Sequence, residues 1–122
     1  AVFWPLRPVR STESCGGIRF SIFAPMAIYF ASDFHLGVSA RVSSREREDR
    51  IVAWLDDCWK KDAEAFYLVG DLFEFWFEWA EVVPRGYVRF FGKLAEIVDA
   101  GVPVHVFTGN HDMWFGDYLQ QE

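Results

Sequence analysis

A chain of 122 residues with a formal charge of -6 and a sequence pI near 5.0 lacks the net basic face of a phosphate-tracking binder, so no nucleic-acid partner is expected. Its length suits one domain of the usual ~100–200 residues and suffices for a real core. No apolar run approaches the roughly 18 residues of a spanning helix; the richest stretch, Leu72 to Trp79, is short and interrupted by Glu74 and Glu78.

Six Trp, four Tyr and thirteen Phe exceed what a small core usually needs, which assigns some rings to a surface. Cys15 and Cys58 lie far apart in unrelated contexts and read as two reduced thiols, neither a disulfide framework nor a paired metal motif.

Residues 1–25 carry Arg7, Arg10 and Arg19 among Pro5, Pro8, Gly16 and Gly17, with no signal-peptide core. They are expected to form a disordered upstream extension, with the domain running over 26–122 and Met26 as its natural start. The apolar run Ala27 to Ala31 predicts a buried strand that ends at Ser32-Asp33. Ser43 and Ser44 can cap a following helix, in which Ile51, Val52, Leu55, Cys58 and Trp59 form the apolar stripe. A second strand, Ala65 to Val69, runs into Gly70-Asp71. Pro84 and Gly101 bracket a second helix with a stripe through Val88, Phe91, Leu94 or Ala95, and Val98. A third strand, Val102 to Thr108, feeds Gly109-Asn110-His111-Asp112, and Trp114 to Gln121 can begin another helix.

Strand, helix, strand, helix, strand at this spacing predicts an α/β fold with parallel strands and helices covering the sheet. Ligands in such sheets bind outside the carboxyl ends of the strands. Those ends carry Asp33-Phe34-His35, Gly70-Asp71 and Gly109-Asn110-His111-Asp112. A single D-x-H or G-D is as often a plain polar turn as a ligand pair. Three such turns, each closing a predicted strand and together offering carboxylates, imidazoles and an amide oxygen, point to a metal site.

With this order of motifs the sequence resembles the calcineurin-like metallophosphoesterase superfamily, from Met26 to its end. Gly70-Asp71-Leu72-Phe73-Glu74-Phe75-Trp76, Gly101-Val102-Pro103 and the third motif further resemble the UDP-2,3-diacylglucosamine diphosphatase family of lipid A synthesis. His111 is the general superfamily residue; one branch of the diphosphatases has Arg there. The resemblance implies the amino-terminal half of a four-layer α/β/β/α sandwich that binds two divalent metal ions, manganese by preference. Asp33 and His35 would bind the first metal, Asp71 would bridge both, and Asn110 would bind the second. His111 would act on the phosphoryl oxygens or the leaving group, with Asp112 orienting it. A metal pair of this kind activates water and clamps attacking and leaving oxygens. The implied substrate is a UDP-sugar lipid, and the implied setting is cytoplasmic, with peripheral contact at the inner membrane surface.

Arg45, among Arg41, Arg47 and Arg50, suits a diphosphate, although Glu46 with Arg50 at i, i+4 favours a plain solvated helix face. Phe75 and Trp76, beside Asp71, could receive acyl chains or pack beneath the site. His105, inside the third strand, reads as a packed histidine. The resemblance also calls for a later His and a G-H-x-H segment; the three histidines here are His35, His105 and His111. A partial domain is therefore expected, with little or no activity for these residues alone. The alternatives are another calcineurin-like phosphoesterase, such as a nuclease or protein phosphatase, and a non-catalytic half-domain.

Overall fold

The computed structural model describes residues 4–6, 26–39 and 43–121. Its elements are β1 (Trp4–Leu6), β2 (Ala27–Ala31), α1 (Ser44–Lys61), β3 (Ala63–Val69), α2 (Val88–Asp99), β4 (Val104–Phe107) and the single turn α3 (Tyr118–Gln121). They build a sheet in the order β1-β2-β3-β4, in which β2, β3 and β4 are parallel as the sequence predicts. Residues 1–25 depart from expectation at Trp4–Leu6, which pair antiparallel with β2 in the register Trp4↔Phe30 to Leu6↔Ile28. The rest of that segment, with Cys15, lies outside the described residues, as does Arg41.

Alternation along the strands divides the sheet into two faces. Ala27, Tyr29 and Ala31 of β2 and Phe66 and Leu68 of β3 join Ile51, Leu55 and Cys58 of α1 and Leu94 and Ile97 of α2 in one buried core. Phe34, Leu36, Leu72, Phe73 and Trp76 extend that core under the carboxyl ends of the strands. On the opposite face Tyr67 stacks with Phe30, His105 and Phe107, so His105 is an exposed ring stacked on the sheet and not the packed histidine expected. Among the described residues, helices cover only the first of these faces.

Polar contacts place α1 against the turn after β2 and α2 against α1. Ser43 is the N-cap of α1, its hydroxyl accepting from the Glu46 N–H at 3.1 Å, which satisfies one of the unpaired donors of the first turn. Ser44 accepts from the Gly37 N–H at 2.9 Å, and the Arg47 guanidinium donates to the Phe34 carbonyl at 3.2 Å. These two bonds fasten the start of α1 to the turn after β2.

The N-cap of α2, Tyr87, has φ 58° and makes no side-chain capping bond. Buried Glu48 of α1 supplies the cap, accepting the N–H groups of Arg89 at 2.9 Å and Phe90 at 3.1 Å. A carboxylate there also suits the positive end of the helix dipole. That cap and the packing of Phe90 on Phe34 and Phe73 set the rotation of α2. The buried stripe is therefore Phe90, Leu94 and Ile97, a correction of the predicted phase, since Val88 and Val98 are exposed. Phe91, Ala95 and Val98 instead line a cavity of about 250 Å3 with Val104, Val106 and Tyr118.

Candidate metal centre

The turns after β2 and β3 run side by side. His35 N–H donates to the Asp71 carbonyl at 3.0 Å, Leu36 N–H to the Leu72 carbonyl at 2.9 Å, and Glu74 N–H to the Leu36 carbonyl at 2.8 Å. A short parallel bridge, Leu36↔Phe73, results. Buried Leu36, Leu72 and Phe73 anchor it from below, so the polar residues between them face the open side.

Asp33, His35 and Asp71 adopt φ values of 59°, 45° and 52°. Left-handed backbone at a non-glycine residue costs of order 1 kcal/mol or more and concentrates at functional sites. Its effect here is to gather the three side chains: one ligand atom from each lies within 4.8 Å of the others. Two carboxylates and an imidazole at that spacing suit manganese, iron or zinc, so the donor set fits one divalent cation. The Ser32 hydroxyl donates to the Asp33 carboxylate, and His35 Nε2 lies 3.9 Å from Asp33 Oδ1.

The turn after β4 closes onto this pair. His111 N–H donates to Asp71 Oδ1 at 3.0 Å. The two turns meet at their glycines: a Cβ on Gly109 would fall 2.2 Å from Asp71 Oδ1, and one on Gly70 would fall 2.9 Å from Gly109 Cα. Only glycine permits that approach. The His111 ring sits edge-on to His35, centroids 4.8 Å apart, with its Nδ1 3.3 Å from the Glu74 carbonyl. Asn110 is exposed in the same turn, between two residues that are tied to the site.

Three expected residues sit differently. Asp112 does not orient His111: it is fully buried, and its carboxylate accepts the backbone N–H groups of Asp71, Leu72, Phe73 and Gly109. Those donors, unpaired at the tight turns, draw the carboxylate inward and away from the imidazole. Trp76 has no exposed surface; it packs on Phe73 and Phe115 and donates its indole N–H to Glu78, so it belongs to the core and cannot receive a ligand. Arg45 lies on the outer face of α1, its Nε 2.9 Å from Asp49 Oδ1, in an ordinary i,i+4 pair. Phe75 is exposed, in contact with Trp114.

Sequence reasoning missed Glu74. Its Oε2 lies 2.9 Å from His35 Nδ1 and its Oε1 3.7 Å from His111 Nδ1. His35, Glu74 and His111 also form a second group of closely spaced potential ligands. The available signal was a carboxylate three residues after Asp71 in an otherwise aromatic segment.

A parallel sheet whose strand ends gather two aspartates and a histidine, with a second histidine at the rim, offers a candidate centre for a divalent cation. The family model for calcineurin-like phosphoesterases matches residues 26–122, and the chain belongs to that family. Among curated proteins it is similar to a UDP-2,3-diacylglucosamine hydrolase of Porphyromonas gingivalis, 50% identical over 95 residues, which cover 78% of this chain and 36% of that protein. It is also similar to a UDP-2,3-diacylglucosamine hydrolase of Nitrosococcus oceani, 30% identical over 96 residues, covering 79% and 36% respectively. The chain thus spans about a third of the length of these relatives. Among solved structures, the Pseudomonas putida nuclease MPE aligns over 74% of this chain and 42% of its own at 23% identity and a TM-score of 0.42.

Proposed function

We propose that this chain contributes the amino-terminal half-site of a metal-dependent hydrolase that converts UDP-2,3-diacylglucosamine and water to UMP and 2,3-diacylglucosamine 1-phosphate, a step of lipid A biosynthesis. The observation that carries the reading is the convergence of Asp33, His35 and Asp71 within 4.8 Å on strained backbone. The substrate rests on the names of the relatives, the first of them 50% identical over the matched residues.

In this reading Asp33 and His35 hold one divalent cation, Asp71 reaches toward a second, and Asn110 offers its amide oxygen to that second cation. Manganese is the expected metal. When bound, such a pair supplies Lewis acidity to the phosphoryl oxygens and acidifies the attacking water. His111, with Nδ1 turned to the Glu74 carbonyl, has Nε2 to offer a phosphoryl oxygen or the leaving group. Phe75, Phe77, Trp79 and Trp114 are exposed, with Phe75 against Trp114 and Phe77 bridged to Trp114, and such rings would suit the acyl chains of a lipid or a membrane surface. No helix among the described residues is long and apolar enough to cross a membrane.

Manganese-dependent release of UMP from UDP-2,3-diacylglucosamine tests the proposal, using a protein that joins these residues to a later His and a G-H-x-H segment. Loss of that release on Asp71→Ala is expected, and the 122 residues alone should show little or none. Cleavage of DNA or cyclic nucleotides with no action on the UDP-lipid would remove the substrate assignment and leave the phosphoesterase class standing.

A further inference from the structure

The segment that follows Asp71 brings a carboxylate between the two imidazoles of the site, and the backbone dictates its place. The bonds from Leu36 N–H to the Leu72 carbonyl and from Glu74 N–H to the Leu36 carbonyl lock residues 72–74 alongside the His35 turn. From that position Glu74 Oε2 reaches His35 Nδ1 at 2.9 Å, while the Glu74 carbonyl meets His111 Nδ1 at 3.3 Å. We infer that Glu74 is a positioning residue that holds His35 with the proton on Nδ1 and Nε2 turned toward Asp33 and Asp71.

An imidazole presents one lone pair in its neutral form, so the nitrogen that does not carry the proton is the one that can ligate. A carboxylate on Nδ1 therefore selects Nε2 as the ligand atom and fixes the ring's rotation. Nε2 is the nitrogen on the side of Asp33, at 3.9 Å from its carboxylate. The same residue, through its main-chain carbonyl, steadies His111, so both imidazoles are referred to one backbone position. The competing role for Glu74 is direct ligation in the group His35, Glu74 and His111, which requires a bare Nδ1 on His35. The two roles are mutually exclusive at that atom. This inference rests on the metal-site reading above.

The experiment is nitrogen-15 histidine NMR on the full chain, without metal and with cadmium, together with manganese titrations of the wild type, Glu74→Ala, Glu74→Gln and Asp71→Ala. Expected are an Nδ1–H tautomer for His35 in the wild type, mixed tautomers in Glu74→Ala, and cadmium coupling to Nε2. Manganese affinity should fall about 10–100-fold in Glu74→Ala. It should fall less in Glu74→Gln, whose amide oxygen still accepts from Nδ1. An unchanged tautomer and affinity in Glu74→Ala would overturn the inference, as would cadmium coupling to Nδ1 with equal loss in both Glu74 variants. If no protein binds manganese, the metal-site reading fails, yet the metal-free tautomers still decide the role of Glu74.

Discussion

The carboxylate of Asp112 on the turn after β4 accepts the backbone N–H of Leu72 on the turn after β3 at 2.7 Å. One of its oxygens also takes Phe73 N–H, and the other takes Asp71 N–H and Gly109 N–H. A single buried acid thereby ties together the two turns that carry Asp71, Asn110 and His111. Removing it leaves several buried donors without partners, at about 1–3 kcal/mol each before relaxation. Asp112→Ala should destabilise the protein by about 3 kcal/mol or more in chemical denaturation. Asp112→Asn, which keeps one accepting oxygen, should cost roughly half of that. A loss under about 0.5 kcal/mol for the asparagine variant would contradict the structural role.

Two glycines separate close approach from simple backbone cost. A methyl on Gly109 would collide with Asp71 at 2.2 Å, whereas one on Gly92, inside α2, would meet nothing within 4 Å. Gly109→Ala should therefore lower stability by about 1–3 kcal/mol, by overpacking, and displace Asp71. Gly92→Ala should raise stability by up to ~1 kcal/mol through helix propensity. Melting temperatures of the two variants that move in the same direction would refute this distinction.

Neighbouring aromatic residues on the segment after Asp71 have opposite fates. Trp76 has 0% relative exposure and Phe75 has 58%. Trp76→Ala should cost about 3–5 kcal/mol, the usual range for a large core ring. Phe75→Ser should cost under about 1 kcal/mol, since surface changes rarely cost more. Urea denaturation of both variants measures the difference directly, and comparable losses would show that Phe75 is packed.

Alkaline pH should weaken the fold through two buried acids of the core. Burial, with donation to Asp62 at 2.5 Å as the next cause, holds the Tyr29 phenol far above its ordinary 10.0. Burial pushes the Cys58 thiol from 9.0 to about 11. In both, the folded value lies above the unfolded one, so the contribution is complete below the unfolded value. It is lost as pH rises through the folded value, because the unfolded chain ionises first. Thermal midpoints should fall from about pH 9 upward, and more steeply in the wild type than in Tyr29→Phe/Cys58→Ala. Identical slopes would exclude this origin.

Much of this architecture was legible because its signals are local. Apolar runs ending in Asp33, Asp71 and Asn110 mark strands whose carboxyl ends carry the candidate ligands, and Ser43 and Ser44 mark a helix start. What escaped depends on which segments lie side by side. Glu74 meets His35 only through the bridge Leu36↔Phe73, and Asp112 is drawn inward by donors 39 to 41 positions away. No spacing rule encodes either. The stripe of α2 was misread because that helix has apolar residues on two adjacent faces, and the cap from Glu48 on α1 decides which one is buried. Trp76 and Phe75 are equally hydrophobic in sequence; the irregular backbone that sends one in and the other out is a tertiary outcome.

The most direct test of the account is manganese binding by the 122-residue chain, followed by calorimetry or electron paramagnetic resonance in the wild type, Asp33→Ala, Asp71→Ala and, as a control, Asp49→Ala. Asp49 pairs with Arg45 on the outer face of α1, away from the strand ends. Saturable binding is expected in the wild type and Asp49→Ala, weakened at least about tenfold in Asp33→Ala and Asp71→Ala. Binding that is indifferent to both site aspartates, or that falls equally with Asp49→Ala, would contradict it.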